Sequence, residues 1–203
     1  MGSHRETETM NFNLPKRIAV RFIAIFATCL AVLAVAAPGA RADTGYTAQE
    51  IVDSGNRFFG STSGGLANVV EKIFSTYGLP NGYVLGEQGS GAIIGGLTYG
   101  EGTLYTKNAG DHKVFWQGPS IGWDFGAEGS RLMVLVYNLD SVGDLYERYA
   151  GVAGSAYVVA GLGFNVLKHG NVLLVPVRTG VGARLGINLG YLKLTQQPTW
   201  NPF

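Results

Sequence analysis

Arg178-Thr179-Gly180-Val181-Gly182-Ala183-Arg184-Leu185-Gly186-Ile187-Asn188-Leu189-Gly190-Tyr191-Leu192-Lys193-Leu194 alternates along its length. Val181, Ala183, Leu185, Ile187, Leu189 and Tyr191 share one face. Gly180, Gly182, Arg184, Gly186, Asn188 and Gly190 share the other. A period of two predicts a β-strand with one buried face. Glycine weakens a strand interior, so several on one face point to close backbone approach or sharp curvature. That predicts a small, tightly wound sheet or barrel, with Gly186 and Gly190 inside the strand, opposite Leu185 and Leu189. Gly89–Gly102 and Gly118–Gly126 read as further stretches of the same kind.

The strands upstream are read from the same alternation. They are expected at Tyr83–Leu85, Ala92–Tyr99, Gly102–Lys107, Lys113–Trp116, Ile121–Phe125, Ser130–Tyr137, Ala156–Leu167, Val172–Arg178 and Val181–Leu194. Lys168-His169-Gly170-Asn171 is a tight turn between two of them. Short gaps imply antiparallel pairing. Eight or nine strands in one domain favour closure, because a closed barrel has no exposed edges.

Helical periodicity appears in three places. Thr47 and Glu50 form a capping box that opens a helix over Thr47–Phe59. Leu66, Val69, Val70, Ile73, Phe74 and Tyr77 form an amphipathic stripe ended by Gly78 and Pro80. Ser141 caps a short helix with Asp144 at its third position. The predicted fold is therefore mainly β: a small, mostly antiparallel barrel of about eight to nine strands, with two N-terminal helices and one inserted short helix. The tail Thr195–Phe203, with Pro198 and Pro202, is expected to be irregular.

The first part of the chain reads as an address. Lys16, Arg17 and Arg21 precede an apolar run from Phe22 to Ala37, and Ala40-Arg41-Ala42 is a small-x-small cleavage motif. That is a secretory signal peptide, and the run is shorter than the ~20 apolar residues of a spanning helix. Residues 1–42 are expected to be upstream residues and leader, cleaved after Ala42, with 43–203 a single periplasmic domain. Met10 is a better start for such a leader than Met1. The single cysteine, Cys29, falls in the leader, so the mature chain has no disulfide and no thiol nucleophile.

Beyond Ala42 acidic residues slightly outnumber basic ones, and no basic stripe is present. Nucleic-acid binding therefore has no electrostatic basis. No glycine cluster leads from a strand into a helix in a phosphate-binding pattern, so no nucleotide is expected. Metal-ligand spacings are absent too, and neither metal nor cofactor is expected. His112 follows Asp111 in a polar loop, but no activated serine accompanies them, and His169 sits in a turn. Asp124 and Glu128 flank Gly126 as ordinary polar residues near a strand end. No catalytic residue is expected. The remaining candidates for contacting a ligand or partner are the cations Arg131, Arg178, Arg184, Lys107 and Lys113, together with His112.

Val52-Asp53-Ser54-Gly55-Asn56-Arg57-Phe58-Phe59-Gly60, followed by Ser61-Thr62-Ser63-Gly64-Gly65-Leu66, resembles an alphaproteobacterial family of unknown function, that of envelope integrity protein A. So do Gly100-Glu101-Gly102-Thr103-Leu104-Tyr105, Gly110-Asp111-His112-Lys113, Trp116-Gln117-Gly118-Pro119 and Thr199-Trp200-Asn201-Pro202-Phe203. The resemblance implies a soluble periplasmic β-barrel that supports the envelope without enzymatic activity. Its partner would be a lipid, lipopolysaccharide, peptidoglycan or envelope protein. A fainter pattern, Gly89-Ser90-Gly91-Ala92, Gly118-Pro119-Ser120, Gly161-Leu162-Gly163 and Arg178-Thr179-Gly180, is similar to the SYLF lipid-binding domain and implies peripheral membrane contact. The basic N-terminal helix of that domain has no counterpart, since Arg57 is the only cation in Thr47–Phe59. Phe203 as last residue is a feature of outer-membrane barrels, but Pro198 and Pro202 interrupt the alternation such a strand needs. An envelope-polymer enzyme using His112 and Asp111 is the remaining alternative.

Overall fold

The computed structural model describes residues 45–60, 64–91, 97–119, 130–159, 161–179, 190–201 and 203. The expected strand Ile121–Phe125, Arg184, Gly186, and the pair Asp124 and Glu128 lie outside the described residues.

Two helices come first. Helix α1 (Ala48–Phe59) starts at Thr47, whose hydroxyl accepts from the Glu50 amide while the Glu50 carboxylate accepts from the Thr47 amide. Two otherwise orphaned donors are thereby satisfied. Helix α2 (Leu66–Tyr77) buries Leu66, Val69, Val70 and Ile73, as its stripe predicts. Each such side chain contributes about 1.5–3 kcal/mol on leaving water. Gly55 faces α2 so closely that a Cβ there would meet Leu66.

Ten strands follow among the described residues: β1 (Gly82–Gly91), β2 (Leu97–Thr106), β3 (Gly110–Pro119), β4 (Ser130–Tyr137), β5 (Arg148–Gly151), β6 (Tyr157–Val159), β7 (Leu162–Phe164), β8 (Leu167–His169), β9 (Val172–Thr179) and β10 (Tyr191–Thr195). A single 3-10 turn, Val142–Leu145, replaces the expected third helix, with Ser141 and Asp144 forming its capping box. The sheet runs β4-β1-β2-β3-β10-β5-β8-β9, and β9 pairs back onto β4, which closes an eight-stranded antiparallel barrel. The hairpin β6–β7 extends from β9 beyond the closed ring. β7 and β8 run in one register against β9, and Ser155 patches the break between them by bonding both the amide and the carbonyl of Val166.

Three sequence expectations are corrected. The break expected between Ala92–Tyr99 and Gly102–Lys107 is absent: β2 runs unbroken from Leu97 through Gly100 and Gly102 to Thr106, while 92–96 lie outside the described residues. Ala156–Leu167 is not one strand. The chain reverses at Gly161, whose φ of 83° is the left-handed conformation that a glycine adopts without strain. The long strand Val181–Leu194 is described only over β10. Gly190 stands just before it, outside the strand, its carbonyl accepting from the Gly151 amide. Within β10 the buried residues are Leu192 and Leu194, whereas Tyr191, expected on the buried face, is only half-buried.

Two separate cores result. Inside the barrel lie Val84, Leu104, Val114, Trp116, Leu132, Val134, Val136, Leu174, Leu192 and Leu194, in one cluster with Leu139, Leu145 and Tyr149. Outside it, α1 and α2 bury Met133, Leu135, Tyr137, Val175 and Val177. β4 is thus covered on both faces, which explains its unbroken apolar run Leu132–Tyr137.

Candidate functional site

The interior of the β1–β3 wall is organised by Trp116, which is 2% exposed. Its ring occupies the space over Gly86 and Gly100; a Cβ at either would overlap the indole. Gly86 and Gly102 also let the β1 and β2 backbones approach closely. These glycines serve the curvature expected from the sequence, and the reason is specific: they make room for one large ring inside a narrow barrel.

The opposite, outward face of the same wall holds the odd-numbered residues. Register aligns Arg131, Glu87, Glu101 and Phe115 in one row across β4, β1, β2 and β3. The next row brings Tyr99 beside Gln117 and Gln117 beside Lys193. The C-terminal segment then folds back over them. Tyr99 donates its hydroxyl to the Trp200 carbonyl at 3.1 Å, and the two rings lie 5.3 Å apart. Lys193 donates to the carbonyls of Asn201 and Phe203 at 3.2 and 2.6 Å. Between wall and tail lies a groove of about 530 Å³, lined by Glu87, Tyr99, Glu101, Phe115, Gln117 and Trp200 among others. This volume falls in the range of small-molecule sites, about 300–1,000 Å³.

The groove's polar groups are mostly acceptors. Arg131 Nε lies 3.7 Å from the Glu87 carboxylate, and its Nη1 donates to the Phe58 carbonyl at 2.7 Å. Glu101 has no salt-bridge partner among the described residues. Gln117 donates its amide to Thr195, but its side-chain oxygen is buried with no hydrogen-bond partner. The indole N–H of Trp116 is likewise buried and unpartnered.

Among the described residues, the cations singled out in the sequence do not converge. Arg131 and Arg178 belong to neighbouring β4 and β9, with Arg178 opposite Leu132 and sharing the inward parity of Val172 and Leu174. Lys107 stands at the β2–β3 turn, at the other end of the wall, roughly 20 Å of strand from the row that holds Arg131. There it pairs with Glu50 at 3.3 Å and lies over the Tyr46 ring at 5.1 Å. His112 is on β3 and not in a loop; its ring bonds the Ala109 carbonyl at 2.9 Å. Lys113 is exposed on the same strand, its carbonyl accepting from the Tyr146 hydroxyl. Burial, then the neighbouring Tyr83, Asp111 and Glu50, push the Tyr46 phenol up to about 12. Bonds from Thr47 and Lys107 hold Glu50 below the usual carboxylate range.

The groove residues were legible only as members of strands. Glu87, Glu101 and Phe115 come from three strands and meet only through register, a non-local property. Trp200 was visible as an aromatic residue in a proline-bearing tail, but nothing local says which wall that tail covers.

A closed eight-stranded antiparallel barrel with a largely apolar interior, two flanking helices and a groove on its outer wall defines a small, helix-buttressed β-barrel protein. The profile of the envelope integrity protein A family matches residues 44–203, and the chain belongs to that family, which ties it to the cell envelope. The crystal structure of a β-barrel-like, uncharacterised protein from Brucella abortus is 75% identical, superposes with a TM-score of 0.75, and covers 79% of this chain and 99% of that one. A glycerol kinase of Thermus brockianus is 28% identical over 150 residues, 71% of this chain. The chain spans 27% of that kinase's length.

Proposed function

We propose that this chain is a non-enzymatic periplasmic protein, exported by a leader cleaved after Ala42, that maintains the envelope by binding a lipid, glycan or protein component of it. The observation that carries this reading is the family match, which begins immediately after the proposed cleavage point. The chemistry of the barrel supports it. Both histidines beyond the leader, His112 and His169, bond backbone carbonyls, those of Ala109 and Arg148. The barrel interior is largely apolar and its outer wall carries Glu87, Glu101 and Lys113, the reverse of a lipid-embedded barrel. The test is complementation of a deletion strain under envelope stress. The full chain should restore growth, and a version lacking the leader, retained in the cytoplasm, should not. Equal rescue by both would remove the periplasmic reading.

One observation favours peripheral membrane contact as a second reading. Val152, Tyr157 and Val158 are exposed at and beside the edge strand β6, with the Lys72 ammonium 6.0 Å from the Tyr157 ring. Exposed apolar side chains beside a cation suit an anionic lipid surface. The protein should co-sediment with anionic liposomes at low salt, and Val158→Glu should abolish this. Absence of sedimentation at low salt eliminates the second reading and leaves the first intact.

A further inference from the structure

We propose that the groove between the β1–β3 wall and the C-terminal segment binds an organic cation of the alkylammonium class. The proposal stands on the groove's geometry and does not depend on the envelope reading.

Charge comes first. Glu87 and Glu101 are direct cross-strand partners on one face. Like charges in that position destabilise a sheet unless something neutralises them. Arg131 serves Glu87, and Lys193 is turned to the tail carbonyls, so the Glu101 carboxylate remains uncompensated among the described residues. The aromatic walls act in the same sense. Tyr99, Phe115 and Trp200 line the groove, and Trp200 is 78% exposed although its backbone is tied down by Tyr99. The negative ring faces of such residues attract an ammonium or a quaternary amine.

Gln117 forms part of the groove floor, but its unpartnered amide oxygen is sealed from the groove, so recognition falls to the charge and the rings. Two carboxylates and three rings together ask for positive charge. Anionic headgroups are disfavoured by both glutamates. A neutral sugar would satisfy the rings but leave the Glu101 charge unmatched.

Alkylammonium groups occur as free amines and as lipid headgroups, and the test separates these sources. The protein is titrated with choline chloride and with ethanolamine, following the Trp200 indole signal by NMR against a sodium chloride control. A saturable shift is expected. Glu101→Gln and Phe115→Leu, which both keep the Trp200 reporter, should each weaken it about tenfold. Glu101→Gln should not lower the melting temperature, because it also removes the cross-strand repulsion. Binding to phosphatidylcholine or phosphatidylethanolamine vesicles but not phosphatidylglycerol vesicles assigns a lipid headgroup as the source. Binding of the free amines alone assigns a soluble amine. The proposal is overturned if neither amine shifts the signal beyond the salt control. It is equally overturned if chitotetraose binds in place of the amines, or if both variants bind as the parent does.

Discussion

At the scale of single residues, Trp116 and the glycines beneath it behave as one unit. Gly100 sits mid-strand, where alanine is normally the better residue. Here the added methyl would fall on the indole, so Gly100→Ala should lower stability by about 1–3 kcal/mol, read from urea unfolding. In a Trp116→Leu background the same change should cost less, since the two positions share one volume. Tyr46 carries a different prediction. Its phenol is raised from 10 to about 12, so folding favours the neutral form. That contribution is fully present below pH 10 and is lost as pH rises from 10 through 12. Tyr46→Phe should flatten the decline in stability measured over this window. Part of the slope should persist, because burial also raises the phenols of Tyr137 and Tyr149.

Among the elements, those governed by local chemistry were readable and those governed by distant contacts were not. The capping box Thr47–Glu50 and the stripe Leu66–Tyr77 specify helix within a few residues, and both helices stand where they are expected. Gly100-Glu101-Gly102 reads locally as a break, yet β2 passes straight through it, because the glycines answer to Trp116 on the next strand and Gly86 on the previous one. Gly161 misleads in the opposite direction. Apolar residues flank it on both sides, so the turn is masked by continuous hydrophobicity. β4 supplies a test of the two-core arrangement. Leu132 faces the barrel and Leu135 faces the helices, both at 0% exposure. Leu132→Ala and Leu135→Ala should each cost about 2–5 kcal/mol, seen as lower denaturant midpoints at unchanged slope. A strand with only one buried face would tolerate one of them.

On the scale of the whole molecule, closure by β9 against β4 leaves the ring without a free edge, and the helices cover what closure does not. Removing residues 44–79 should expose Met133, Leu135, Val175 and Val177. The shortened barrel should then bind a hydrophobic dye and associate in light scattering; a monomeric, dye-free barrel would contradict the buttressing role. The sequence by itself determined the helices, the predominance of antiparallel strands, their closure into a barrel and the absence of a basic or metal-ligand pattern. Each follows from periodicity, capping or composition, which act over short stretches of chain. Whether the glycine-bearing alternation of Gly180–Leu189 is strand lies outside the described residues, although it first suggested tight curvature. β10 shows why such readings stop short: Gly190 lies outside it, and its buried residues are Leu192 and Leu194, of the parity opposite to the expected face. Only the tertiary structure decided which glycines make room for Trp116. It alone brought Glu87, Glu101, Phe115 and Gln117 onto one outer face beneath Trp200. Register and chain return join residues far apart in sequence, and no local pattern encodes such a meeting.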